Sequence, residues 1–165
     1  MTTDDTLAAA VMPDVCELVP HSRDMVLLDR VLSADTDNLC AEVRIRADSV
    51  LAGGQGVGSW VGIEYMAQAI SAHAGWLSHR RGGGAKVGFL LGSRKYDTSV
   101  PYFVPGSVLR VRVHRVLQAE NGLGAFDCRI DDADAAEGAA SLATATVTVY
   151  QPHNVNQFLE DGNVA

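Results

Sequence analysis

Apolar residues crowd one uninterrupted stretch, Ser59 to Leu77, in which Ile63, Met66, Ala67, Ile70, Ala74 and Leu77 recur at helical spacing. The stretch has no proline, it follows the glycine-rich loop Gly53-Gly54-Gln55-Gly56-Val57-Gly58, and Ser59 carries the side chain of an N-cap. The pattern predicts one long helix. Val61, Tyr65, Ala69, Ala72 and Trp76 make its other flank apolar as well, so burial is expected. A narrow stripe breaks that surface: Glu64, Gln68, Ser71, Gly75 and Ser78 fall on one line down the helix, and only Glu64 is charged. A carboxylate in the first turns of a buried helix is favoured by the helix dipole and penalised by desolvation, an opposition that can set a catalytic pKa. The same stripe also reads as a solvated edge, and periodicity alone leaves both readings open.

On either side of the helix the period falls to two. Pro13 to Val19 reads as a short helix stopped by Pro20. Met25 to Leu32 and Asn38 to Arg46 read as strands joined by the turn Ala34-Asp35-Thr36-Asp37, with Leu39, Ala41, Val43 and Ile45 on one face of the second. Beyond the helix, His79-Arg80-Arg81-Gly82-Gly83-Gly84 supplies positive charge and a glycine stop. Lys86 to Tyr96 is apolar enough to be a central strand. Ser107 to Gln118 sets Arg110, Arg112 and His114 against Leu109, Val111 and Val113, and Gly122 to Asp131 with Ala139 to Tyr150 form a last antiparallel pair. Strands grouped around one apolar helix predict an α+β fold, an antiparallel sheet wrapped around that helix. Its edge strands make pairing into a dimer natural. Residues 13–152 are expected to form one domain, between flexible termini at 1–12 and 153–165.

Composition narrows the function classes. A net charge of −7 disfavours nucleic acid or an anionic membrane as the main partner. No stretch reads as a secretion signal or a membrane span, and three scattered cysteines suit a reducing compartment, so a cytoplasmic protein is expected. No metal-ligand spacing and no phosphate-cradling motif emerge, so neither metal nor cofactor is expected.

The segment Pro20-His21-Ser22-Arg23-Asp24-Met25-Val26-Leu27-Leu28-Asp29-Arg30-Val31 resembles the opening motif of hotdog-fold 3-hydroxyacyl acyl-carrier-protein dehydratases. Ile63-Glu64-Tyr65-Met66-Ala67-Gln68 resembles their central-helix motif, and Phe89-Leu90-Leu91-Gly92 and Val104-Pro105-Gly106 resemble later landmarks, in the family's order. The wording around Glu64 is most similar to the branch associated with aryl-polyene-type biosynthesis. The resemblance implies a dimeric hotdog fold and carrier-bound acyl thioesters as substrates. It also implies sites at the subunit interface that join a histidine of one subunit to an acid on the central helix of the other. Glu64 would be that acid, Gln68 its orienting neighbour, and backbone N–H groups around Gly58 and Ser59 would polarise the thioester carbonyl. One departure stands out: the family's histidine position holds Val50. Valine cannot carry a proton.

The chain's own histidines replace it poorly on sequence grounds. His73 is half a turn out of phase with Glu64 at about 100° per residue, and His79 sits about 22 Å further along the axis. His21 reads as a structural residue of the opening motif, His114 as solvated beside Arg110 and Arg112, and His153 as part of the tail. Three functions follow: a dehydratase subunit completed by a histidine-bearing relative, a non-catalytic partner that stabilises such an enzyme, or an acyl thioesterase. Arg80, Arg81, Lys86, Arg94 and Lys95 are available to greet an acidic carrier protein, although helix capping and strand solvation explain them as well.

Overall fold

The structure, a computed structural model, describes residues 11–153 and 160–161. The expected terminal segments therefore lie largely outside the described residues. The long helix is present as α2, Gly62–His79. A short helix α1, Val15–Leu18, precedes it, with the Asp14 carboxylate accepting from the Cys16 N–H at 2.9 Å.

Around α2 runs a six-stranded antiparallel sheet. Its strands are β1 (Arg30–Ala34), β2 (Asn38–Arg44), β5 (Phe89–Thr98), β7 (Val108–Gln118), β8 (Leu123–Asp132) and β9 (Ala143–Tyr150), in the order β1-β2-β7-β8-β9-β5. A second small sheet joins β3 (Ala52–Gly53), β4 (Gly56–Gly58) and β6 (Tyr102–Phe103), so the glycine-rich loop ahead of α2 is held as a hairpin. The concave face of the large sheet presents Leu39, Ala41, Val43, Leu109, Val111, Val113 and Ile130 to Tyr65, Met66, Ala69 and Ile70 of α2. Each large aliphatic side chain buried fully there contributes roughly 1.5–3 kcal/mol. This is the curled sheet around one central helix that the chain's pattern predicts.

Three local expectations are corrected. The strand expected from Met25 begins only at Arg30, because Arg23–Met25 forms a 3-10 turn and a side chain of α2 takes up the backbone that follows. Ser59 does not cap α2: a 3-10 turn, Ser59–Val61, intervenes and the helix starts without a side-chain cap. The strand expected to be central is β5, at the sheet edge, with Leu90 45% and Leu91 57% exposed. Its leucines lie on the surface of the single chain, and two irregularities, one with Lys95 at φ 50°, bend its pairing with β9.

The Asp-rich turn forms as expected, Asp35 accepting from the N–H groups of Asp37 and Asn38. Those bonds hold its carboxyl below the usual range. Glu42, on the face expected to be solvated, is buried and clasped by Arg30 at 3.2 Å and Arg44 at 3.0 Å, which lowers its pKa against the opposing effect of burial.

Candidate active site

The stripe on α2 is not a solvated edge. Gln68 is 1% exposed, and both ends of its amide are used. Its Oε1 accepts the Leu27 N–H at 2.8 Å, while Nε2 donates to the Met25 carbonyl at 2.8 Å and to Glu64 Oε1 at 3.1 Å. One side chain thus ties the opening segment to the helix and fixes the carboxylate one turn away. Gly75 is the contact point with α1: a Cβ there would lie 1.9 Å from the Leu18 carbonyl oxygen. The expected effect of Gln68→Leu follows from the orphaned Leu27 N–H and Met25 carbonyl. It lowers stability by about 1–3 kcal/mol, read as a shifted urea midpoint at constant slope.

Glu64 sits in the first turn of α2, its side chain 41% exposed in the single chain. It lines a cavity of about 680 Å³ that runs along α2 past Ala67, Ile70, Ala74 and Leu77 and is closed on the far side by Phe89, Phe126 and Val149. The space is large enough for an acyl chain, and its walls are mixed, the apolar side chains sharing them with His73, Arg115, Gln118 and Gln151. Arg81 and Lys86 line it toward the C-terminal end of the helix. Arg80 stacks over the Trp76 ring at 4.8 Å, and Arg94 and Lys95 line a separate groove with Arg112 and Arg129. The five basic residues therefore do not form one patch.

The structure also brings to the site a residue that the sequence reading took as structural. His21 lies on the loop after α1, and its Nε2 is 3.7 Å from Glu64 Oε1. Both side chains line the same cavity. A separation of forty-three residues hid the contact; the signal was that His21 and Glu64 each sit in one of the two motifs that carry the family resemblance. Three of the other four histidines are held by hydrogen bonds, although His73 also borders the cavity. His73 is buried against Phe126 with Nε2 2.9 Å from the Asp35 carbonyl, and burial pulls its pKa down. His114 pairs with Asn38 at 2.7 Å and His153 with the Glu120 carbonyl at 2.9 Å. Val50, the position that the resemblance assigns to histidine, is 44% exposed in the loop before β3.

The helix start is rigidly held. The Ser59 N–H donates to the Pro101 carbonyl at 3.0 Å, and the Ser59 carbonyl accepts from the Tyr96 hydroxyl. Burial pushes the Tyr96 phenol up to about 12, so it remains a donor. Within one protomer the Ser59 amide is therefore already paired. In an antiparallel ladder the bonded pairs alternate, and with Ser59 bonded to Pro101 the Gly58 N–H turns from β6 toward β3, on the other side of β4. A Cβ at Gly58 would meet the exposed Trp60 indole at 2.3 Å, so a larger residue there would have to displace that ring.

Among the described residues no cluster of three histidine, cysteine or acidic side chains is placed to hold a metal. None of their helices is long and apolar enough to cross a membrane. Burial raises the Cys128 thiol to about 12, which leaves it a poor nucleophile.

A curled sheet around one helix, with a carboxylate in the helix's first turn facing an acyl-sized cavity, defines the hotdog class. The profile of the ApeP-like family, described as ApeP dehydratase, matches residues 13–160, and the chain belongs to that family. It is similar to a solved structure of the dehydratase heterocomplex ApeI:P from Xenorhabdus doucetiae. That match has a TM-score of 0.80 and 30% identity, over 92% of this chain and 98% of that one. Two more distant structures share the fold alone. One is the Escherichia coli PaaI protein of the phenylacetic acid degradation operon, at TM-score 0.55 and 13% identity over 73% of this chain and 77% of that one. The other is a hypothetical thioesterase with coenzyme A from Streptococcus pneumoniae, at 0.56 and 13% over 74% and 87%. No match is found among curated proteins.

Proposed function

We propose that this chain is a dehydratase subunit that removes water from carrier-bound 3-hydroxyacyl thioesters in fatty-acid or polyene-type biosynthesis, working as half of a pair with a related hotdog subunit in the cytoplasm. The observation that carries the reading is Glu64, fixed by Gln68 on the wall of a cavity about 680 Å³ in volume that is partly lined by apolar side chains. Elimination needs a base for the C2 proton and an acid for the departing hydroxyl, and a positioned carboxylate serves either step. The donor proposed for the thioester carbonyl is a backbone N–H of the segment that opens α2, around Gly58, a role that helix N-termini suit.

Two further features support a partner. β5 leaves a ten-residue strand with exposed leucines at the edge of the sheet, a surface that a second hotdog subunit would cover. The similar structure from Xenorhabdus doucetiae is a complex of two dehydratase chains. Arg81 and Lys86 at the cavity then face the approach of an acidic carrier protein.

Co-purification from the native host, followed by product analysis on a 3-hydroxyacyl thioester, tests the proposal. The expected result is a two-chain assembly that yields enoyl thioester with the thioester bond intact. Release of free thiol would instead make the protein a thioesterase, and recovery of the chain alone would remove the partner.

A further inference from the structure

We infer that His21 is the second proton-transfer group of the Glu64 site, supplied by the same chain and replacing the histidine that the resemblance places at Val50. This inference rests on the proposed dehydration. Three observations carry it. His21 Nε2 stands 3.7 Å from Glu64 Oε1, close enough for a proton to pass after a small rotation of either side chain. The imidazole lines the cavity with Glu64 and is one-third exposed, so substrate reaches it. Its other nitrogen, Nδ1, is buried without a hydrogen-bond partner among the described residues, so the ring is not spent on holding the loop in place. A histidine whose role is structural normally satisfies at least one ring nitrogen, as His73, His114 and His153 do here.

The chemistry closes on these two groups. The Glu64 carboxylate takes the C2 proton, and the electrons of the C2–H bond become the C2–C3 π bond. The C3–O bond breaks with its electron pair on oxygen, and the His21 imidazolium donates its Nε2 proton to the departing hydroxyl, which leaves as water. Glu64 is then protonated and His21 neutral. Return of the proton from Oε1 to Nε2 across the gap restores both. No oxidant, metal or second histidine is required.

A partner subunit would still wall the cavity, but its imidazole would be dispensable. The test uses the assembled complex and 3-hydroxyhexanoyl N-acetylcysteamine thioester, with enoyl thioester and free thiol both quantified. His21→Ala is expected to lower kcat about 100-fold or more while KM moves by less than about threefold, and free imidazole in the buffer is expected to restore part of the loss. His21→Gln, which keeps the bulk of the side chain, is expected to lose as much, and serves if the alanine variant fails to assemble. A His21→Ala complex with wild-type turnover overturns the inference, and so does a loss in both variants that imidazole leaves untouched. Failure of the dehydratase reading looks different: the wild-type complex then makes no enoyl thioester. Were it to release thiol instead, the same variants and imidazole rescue, read on hydrolysis, would still decide the role of His21. A wild-type complex that forms neither product ends both proposals.

Discussion

In the assembled complex, Glu64→Gln is expected to lower enoyl-thioester formation by roughly 100- to 10,000-fold while the fold and the assembly persist. The substitution keeps shape and removes the group proposed to gain and lose a proton. The side-chain oxygen at position 64 still accepts from Gln68 Nε2, so the bond between these two turns of α2 survives. Gln68 also keeps its bonds to Met25 and Leu27, neither of which involves Glu64. Unchanged melting with lost turnover is therefore the signature, and steady-state kinetics beside a thermal scan read both. Should turnover survive, the chain would be a scaffold whose partner does the chemistry.

The second large effect is structural. Gly75→Ala drives a methyl group to 1.9 Å from the Leu18 carbonyl oxygen and 2.7 Å from its carbon. Backbone atoms cannot rotate away as a side chain would, so α1 must shift off α2. The expected cost is about 1–3 kcal/mol. For a chain of this size that is a fall in Tm of roughly 2–12 °C by calorimetry. Ser71→Ala, on the same stripe but half-buried, is the control and is expected to change Tm little. Because α1 leads directly into Pro20 and His21, Gly75→Ala is also expected to slow turnover by moving the loop that faces Glu64.

Much of this was legible along the chain, and the exceptions share a cause. The helix over Gly62–His79 and the alternation on β2, β7, β8 and β9 are local patterns, and each survives because its apolar face meets the same core. What could not be read depends on residues far apart. Gln68 is polar on an apolar helix only because it pairs with a segment forty-one residues earlier. Gly75 has no local reason to be glycine until α1 lies across it. The edge position of β5 was missed because an apolar run signals burial without saying which body does the burying. For His21 the motif supplied the residue, while its meeting with Glu64 came only from the fold.

The bent, bulged edge of β5 bears on how such a chain would be supplied in a cell. Leu90 and Leu91 are exposed on an edge strand paired on one side only, yet the kinks beside Gly92 and Lys95 and the neighbouring charges of Arg94 and Lys95 spoil it as a template for open-ended stacking. A single well-shaped mate can seat there, whereas a growing fibre cannot. Copies made without the proposed partner would keep these leucines in water, so matched synthesis of the two chains would set the amount of the proposed complex.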